Sequence, residues 1–398
     1  MNQTAWRADP TADGQVGAQS AVLVPIGMVY VALFLGRGVA SPLMPLWLDS
    51  RGLSGGSLAV VLAAPSLARL LTGPAIALAA NRLALQRSGL VWLGGAIGLG
   101  FVLLGVSRTP WVLGVAWFLV ATASAACLPL IDVMALMAAR SSAWTYGRMR
   151  ALGSAAYAVA SLAGGFALKL FGPMALLVWS LAAAALLSLS ARALPPVRVA
   201  EQPSPTVGVI ATLRPLLAKP SFARVTIVLG LIQGSHALFY GFSSLLWRDQ
   251  GFDGAQIGSL WGVSVVAEIV FLMVADRARD ACGDWGLLRI GAAVGVARWV
   301  AMALSLNFGI QILLQVLHAF SYSATFVAAL HLIGRKSSAQ DSRVAQSLSA
   351  AAAGGFGVGV VMLSCGGLYS RMGAGAYLAM AGLSGLAILA IGRRRARD

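Results

Sequence analysis

Seven ionisable side chains stand inside stretches that are otherwise apolar: Arg37, Arg69, Asp132, His236, Glu268, Arg298 and His318. A charge at such depth is costly unless it is paired or hydrated, so each is a candidate for binding or for moving protons. Glu268 and Asp132 are the carboxylates that fall within helical stretches. A carboxylate held away from water keeps a proton that bulk water would strip, and it can load and release that proton under a modest gradient. The plain alternative is a permanent ion pair, Glu268 with Arg298 or Asp132 with Arg150. Asp132 lies closer to a helix end, where a structural or gating role is the simpler reading.

Arg37, Arg69 and Arg298 outnumber the two carboxylates, leaving a positive excess that an anionic solute would neutralise. Arginine suits that task because its planar fork meets a carboxylate through two bonds. Internal pairing and contacts to helix carbonyls are the competing use. Polar residues around them recur at helical spacing: Gln311, Gln315, His318, Tyr322 and Thr325; Gln233, His236 and Tyr240; Trp261, Ser264 and Glu268. Steps of three and four put each set on one helical face. Three such faces imply a water-accessible cavity between helices, or an interior held by interhelical hydrogen bonds. His236 and His318 could titrate near neutrality, although hydrogen bonding is their commoner use. Tyr240, Trp261 and Trp299 could stack on a ring-bearing ligand or simply pack.

These residues need membrane helices to position them. Of 398 residues, 59% are hydrophobic and 11% charged, and mean hydropathy is +0.82. A soluble chain of this length needs more polar surface. Apolar stretches long enough to span a bilayer predict helices at 22–47, 56–80, 87–106, 110–138, 147–170, 172–192, 221–247, 255–276, 286–306, 308–334, 343–370 and 374–392. The stretch 193–220, with Pro195, Pro196, Pro203 and Pro205, reads as a linker between six-helix bundles at 1–192 and 221–398. The expected fold class is therefore an all-α membrane protein with twelve transmembrane helices. The net charge of +16 is topological rather than a sign of nucleic-acid binding: 21 of 29 Lys and Arg residues fall on one side of this arrangement. Arg51, Arg108, Lys169, Arg248 and Arg371 fall on the other. That bias puts the first side, with both termini, in the cytoplasm. The first apolar segment is too long for a signal-peptide core.

The two halves repeat. Trp47-Leu-Asp-Ser-Arg-Gly-Leu matches Trp247-Arg-Asp-Gln-Gly-Phe with one gap. Seventeen residues beyond Gly52 and Gly251 stand Arg69 and Glu268, a base and an acid at matching places. Parallel six-helix repeats are the mark of the major facilitator architecture. Small residues at Ala156, Ala160 and Gly164, and at Gly355 and Gly359, suit close helix approach, static or sliding. Cys127, Cys282 and Cys365 have no metal-ligand spacing. There is no phosphate-binding loop, nucleophile–base pair or metal motif, so neither an enzyme nor a resident cofactor is expected.

Several segments resemble the 3-phenylpropionate transporter family of the major facilitator superfamily, itself distantly similar to lactose permease and nucleoside–proton symporters. They are Gln233-Gly-Ser-His-Ala-Leu-Phe-Tyr, Gly258-Ser-Leu-Trp-Gly-Val-Ser-Val-Val-Ala-Glu, Val296-Ala-Arg-Trp, Gln311-Ile-Leu-Leu-Gln-Val-Leu-His and Pro129-Leu-Ile-Asp, followed by Tyr146-Gly-Arg-Met-Arg. By that resemblance Asp132, Arg150, His236, Glu268, Arg298 and His318 match motif positions, and Arg69 matches an arginine of helix 2. The resemblance implies proton-linked uptake of an aromatic carboxylate. Two departures stand out: Ala80-Asn81-Arg82 lacks the acidic residue common before the base, and Arg37 is peculiar to this chain.

The expectation is a bacterial inner-membrane carrier with the major facilitator fold, monomeric and working by alternating access. Its partners would be the lipid bilayer, protons and a small, anionic solute, with no nucleic acid. Glu268 and Asp132 would couple protons. Arg37, Arg69, Gln233, His236, Tyr240, Trp261, Arg298, Trp299, Gln315, His318 and Tyr322 would line the solute site, and Arg82, Arg148, Arg150, Asp276 and Arg277 would gate it. Proton-antiport export, or a non-transporting sensor or assembly factor on the same fold, are the rivals. Glu268→Gln and flux measurements separate them.

Overall fold

A computed structural model describes residues 12–82, 86–139, 144–195, 218–304, 307–335 and 351–392, without the side chains of 12–22, 70–71, 73–82, 86 and 351. Most of the expected linker (196–217), the start of the eleventh expected helix (343–350), and the side chain of Arg82 lie outside the described residues. The rest is all-helical. The first six helices are α1 (Ala12–Ser50), α2 (Gly55–Arg82), α3 (Gln86–Val106), α4 (Pro110–Ala139), α5 (Tyr146–Phe171) and α6 (Met174–Arg192). Then come α7 (Pro220–Asp249), α8 (Gly254–Cys282), α9 (Asp284–Ala303) and α10 (Phe308–Arg335). Helix α11 is π-helical over Ala351–Gly357 and α-helical over Val358–Met372, and α12 is Tyr377–Ile391.

Ten apolar stretches among the described residues are long enough to cross a membrane, and α2 adds a shorter apolar run at Gly55–Arg69. One of the ten, Ala352–Ile391, runs for 40 residues. It is interrupted by Gly373, at φ +54°, and by the 3₁₀ turn Gly373–Ala376. A positive φ is open to glycine without steric cost, so the chain reverses there.

Two expected continuous helices are broken. Helix α7 ends its first segment at Gly234 and restarts at Ala237, putting Ser235 and His236 at a break midway along the helix. Helix α10 is α-helical to Val316, π-helical over Phe320–Ala324 and α-helical again from Thr325. A π-turn inserts a residue into the helical count and rotates the residues beyond it. Thr325 therefore leaves the polar stripe. Its hydroxyl donates to the Ser321 and Tyr322 carbonyls, and its methyl group packs at Gly291 of α9.

Helix α1 packs on α5 and α6, α3 on α4 and α6, and α12 on α7 and α9; α5 with α8 and α2 with α11 join the first six helices to the last six. Small residues permit these approaches. A Cβ on Gly38 would sit 2.8 Å from Ala160, and one on Gly359 would sit 2.8 Å from Leu67. The repeated turns share their glycine conformation and backbone hydrogen bonds. Gly52 and Gly251 have φ of +90° and +89°. Their N–H groups donate to the Asp49 and Arg248 carbonyls, both at 2.9 Å, and Leu53 and Phe252 close onto Leu48 and Trp247. Counted back from the glycines, Asp49 corresponds to Arg248.

Candidate functional site

The breaks in α7 and α10 set two histidines face to edge, with ring centroids 5.3 Å apart. Nδ1 of His236 lies 2.9 Å from the Ile232 carbonyl. A carbonyl only accepts, so Nδ1 carries the hydrogen, and Nε2 lies 3.2 Å from the Ser321 hydroxyl, which also donates to the His318 carbonyl. His318 points the other way: its Nε2 is 3.1 Å from a Glu268 oxygen. Ser323 donates to the second Glu268 oxygen at 3.3 Å. Tyr322 stacks on the His318 ring, 8° from parallel. The π-turn thus supplies Ser321 to one histidine and Ser323 to the carboxylate that the other holds. The His318 Nδ1 atom is buried and has no hydrogen-bond partner among the described residues.

Arg298 does not pair with Glu268. Its Nε donates to the Leu314 carbonyl and its Nη2 to Gln315, both at 2.8 Å. The guanidinium lies between the faces of Phe239 and Trp299, 4.5 and 4.4 Å from their centroids. Gln315 also accepts from Ser264, Trp247 donates to Gln311, and Trp261 donates to Ser244. Gln233, His236, Trp261, Arg298, Trp299, Gln315 and His318 are all buried. They form a hydrogen-bonded wall behind the surface, whereas Tyr240, Tyr322 and Glu268 are partly open.

Across from them are Arg37 and Arg69. Arg69 is exposed although protein surrounds most of it, as befits the lining of an internal space, and Arg37 is partly open. The two lie within electrostatic range of each other, and Tyr322 is within range of both and of Glu268. Tyr157, whose hydroxyl meets Ser41, joins the same group. Asp132 is held apart from them: Tyr30 donates to it at 2.5 Å, and Arg150 lies over Phe34, 4.5 Å from the ring centre. Among the described residues neither conjectured pair, Glu268–Arg298 or Asp132–Arg150, is an ion pair.

The expected gating residues are dispersed. Arg148 is exposed at the start of α5, where Thr145 caps the helix by accepting from its N–H. Arg277 is exposed. Asp276 binds Arg279 rather than Arg277, and Arg279 also meets Asp280 and His331. The ion pairs that join the two sets of helices among the described residues lie at the opposite end, by the α1–α2 and α7–α8 turns. Arg248 binds Asp49 at 2.7 Å and its neighbour Asp249 at 2.9 Å, and Tyr369 of α11 donates to Asp249. Lys169 of α5 binds Asp253 at 2.9 Å, which holds that carboxyl below the usual carboxylate range. Ser244 donates to the Pro42 carbonyl, and Gly165 meets Gly254 and Gly258 backbone to backbone.

Sequence reasoning missed this closure because Asp49, Lys169, Arg248 and Asp253 sit at helix ends, where charges are ordinary. The repeated Trp-x-Asp turn was the one signal that marked the place. A separate cavity of about 800 Å³ runs along the outer faces of α5, α8 and α10. Apart from Ser259 its walls are hydrocarbon, including Val266, Val270 and Phe320, which suits acyl chains rather than a charged solute.

The comparisons agree with this architecture. A protein described as "Probable 3-phenylpropionic acid transporter" from Escherichia coli (strain K12) is 27% identical over 365 residues, 89% of this chain and 93% of its own. The maltose permease of Geobacillus stearothermophilus is 26% identical over 380 residues, 93% of this chain and 94% of its own. Among solved structures, the nucleoside transporter NupG superposes with a TM-score of 0.80 at 15% identity, covering 94% of this chain and 99% of that one. A bacterial homologue of the human lysosomal transporter Spinster, in an inward-facing and unoccupied conformation, gives 0.69 at 13% identity, covering 94% and 96%. With residues 23–379 matching the model of the MFS_1 like family, this chain is a multi-pass membrane transporter protein that belongs to that family.

Proposed function

We propose that the chain is a proton-coupled carrier that takes up a small, ring-bearing organic anion by alternating access. The observation that carries this reading is the division of charge around Tyr322. Arg37 and Arg69 stand within its electrostatic range without an acidic partner among the described residues, and Glu268 does so bound by His318 and by Ser323. A carboxylate tied to a histidine and a hydroxyl can exchange a proton, whereas one locked to arginine cannot do so readily. The two guanidinium groups provide forks for an anion, and Tyr157, Tyr240 and Tyr322 provide ring faces. The description of the Escherichia coli relative as a 3-phenylpropionic acid transporter supports an aromatic carboxylate.

In this reading helices α1–α6 and α7–α12 act as two bundles that rock about the midplane site, joined by the segment 193–220. Both termini are cytoplasmic in a bacterial inner membrane, as the Lys and Arg distribution supports. The end closed by Asp49–Arg248 and Lys169–Asp253 then faces outward, and the solute space opens inward. The carrier works as a monomer.

The test is uptake of 3-phenylpropionate into proteoliposomes with and without an imposed proton gradient, for wild type and Glu268→Gln. Gradient-driven accumulation in wild type, reduced in Glu268→Gln to exchange that ignores the gradient, is expected. Flux indifferent to both the gradient and the substitution removes proton coupling from the reading. If no aromatic acid is carried or bound, the anion assignment goes as well.

A further inference from the structure

His318 and Ser323 stand five residues apart on α10, yet they hold the two oxygens of one carboxylate. His318 Nε2 lies 3.1 Å from one Glu268 oxygen, and the Ser323 hydroxyl donates to the other at 3.3 Å. In a continuous α-helix five residues make a full turn plus about 140°, so the two side chains would face different neighbours. The π-turn Phe320–Ala324 closes over five residues instead of four and brings Ser323 back to the His318 side. Such turns are rare and gather at functional sites. This one is fastened by Ser321, which lies within it. The Ser321 hydroxyl is 3.2 Å from His236 Nε2 on α7 and 3.2 Å from the His318 carbonyl. His236 is itself fixed, by the Ile232 carbonyl at 2.9 Å and by the Trp299 ring packed against it edge to face.

Tyr322 on α10, Tyr157 of α5, Tyr240 of α7 and Arg298 of α9 are in electrostatic range of Glu268. Among the described residues, however, the donors on the carboxylate are His318 and Ser323. A hydroxyl that donates to a carboxylate favours its charged form over its protonated one. Ser323 therefore governs how readily Glu268 gives up a proton, and it reaches Glu268 only while the π-turn stands. Resting on the proton-carrier reading above, we infer that Ser321 and His236 are positioning residues: they hold the π-turn, keep Ser323 on Glu268 and so set the pH at which Glu268 releases its proton. His236 moves no proton in this scheme; its ring is a strut between α7 and α10.

The experiment is an infrared titration of the purified full-length chain in lipid vesicles. The protonated-carboxyl band that is present in wild type and absent in Glu268→Gln reports the proton on Glu268. Ser323→Ala should move its midpoint upward by about one pH unit, the scale of one hydrogen bond to a charged group. Ser321→Ala and His236→Leu should each move it the same way, and neither should add to the shift in a chain that already carries Ser323→Ala. His236→Gln, whose amide oxygen reaches the place of Nε2, should keep the wild-type midpoint. An unmoved midpoint in Ser323→Ala overturns the inference, and so do shifts from Ser321→Ala and His236→Leu that persist in the Ser323→Ala background. If His236→Leu does not fold, Ser321→Ala, which removes a single oxygen atom, decides alone. Midpoints that move as expected while uptake ignores an imposed proton gradient leave the positioning intact and defeat the carrier reading. If Glu268 gives no titrating band, both fall.

Discussion

Arg298 is enclosed by two aromatic rings and donates to a carbonyl and an amide, with no anion beside it. Its work in this conformation is to join α9 to α10, so Arg298→Lys should behave as a stability variant. Losing one charged hydrogen bond and the ring contacts should cost about 1.5–3 kcal/mol, read as a lower midpoint of thermal unfolding in detergent. Affinity for solute in the folded fraction should change less than threefold. The polar stripes predicted His236, Glu268, Gln315 and His318 as neighbours because three- and four-residue steps are preserved along a helix. They could not reveal which of these line the space and which stand behind it. That depends on how far each side chain reaches between helices, and periodicity carries no such information. The charge of Arg298 suggests a solute contact; in this conformation Phe239 and Trp299 flank its guanidinium, whose Nη1 has no hydrogen-bond partner among the described residues.

At the scale of the element, the seam between α5 and α8 rests on glycine. A Cβ at Gly258 would fall 2.8 Å from the Gly165 Cα and would overlap the Ser161 carbonyl; one at Gly254 would lie 2.7 Å from the Gly165 carbonyl. Gly258→Ala should therefore prevent full closure of that end. A Ser244→Cys probe, whose site is buried beside Pro42, should react with a maleimide at least fivefold faster in the Gly258→Ala background than without it. The same substitution should cut the turnover number while leaving total expression in the membrane unchanged. Most helix positions were legible from apolar length to within a few residues, but α1 begins ten residues earlier, at Ala12, and α8 runs six residues further, to Cys282. The interruptions at Ser235–His236 and at Phe320–Ala324 were not legible, because no proline marks either of them. Both arise where side chains such as Ser321 and Ser323 hydrogen-bond across the bundle, a tertiary cause that local propensity does not record.

For the whole molecule, closure of one end depends on few charges. Lys169 holds Asp253 below the ordinary carboxylate range, so the bond stabilises the folded chain above that range and is lost as pH falls through the depressed value. Lys169→Gln should lower stability by about 0.5 kcal/mol at neutral pH, and the difference from wild type should shrink as pH falls below the ordinary carboxylate range. Thermal unfolding at neutral and acidic pH reads it. Reversing Asp49 to Arg, or Arg248 to Asp, should each disfavour the closed end, and the double reversal Asp49→Arg with Arg248→Asp should restore it, as measured by Ser244→Cys labelling. This pair has a particular geometry. Asp49 and Arg248 occupy equivalent places in the two repeated turns, as the glycines three residues beyond them show, and they bind each other. A contact between equivalent places lies on the axis relating the repeats, where each position meets its own counterpart. In a chain whose repeats were still identical, that contact would set aspartate against aspartate or arginine against arginine, and the end would be pushed apart. Attraction at that place requires the two halves to carry unlike charges there, so an exact repeat of one turn by the other could not close this end.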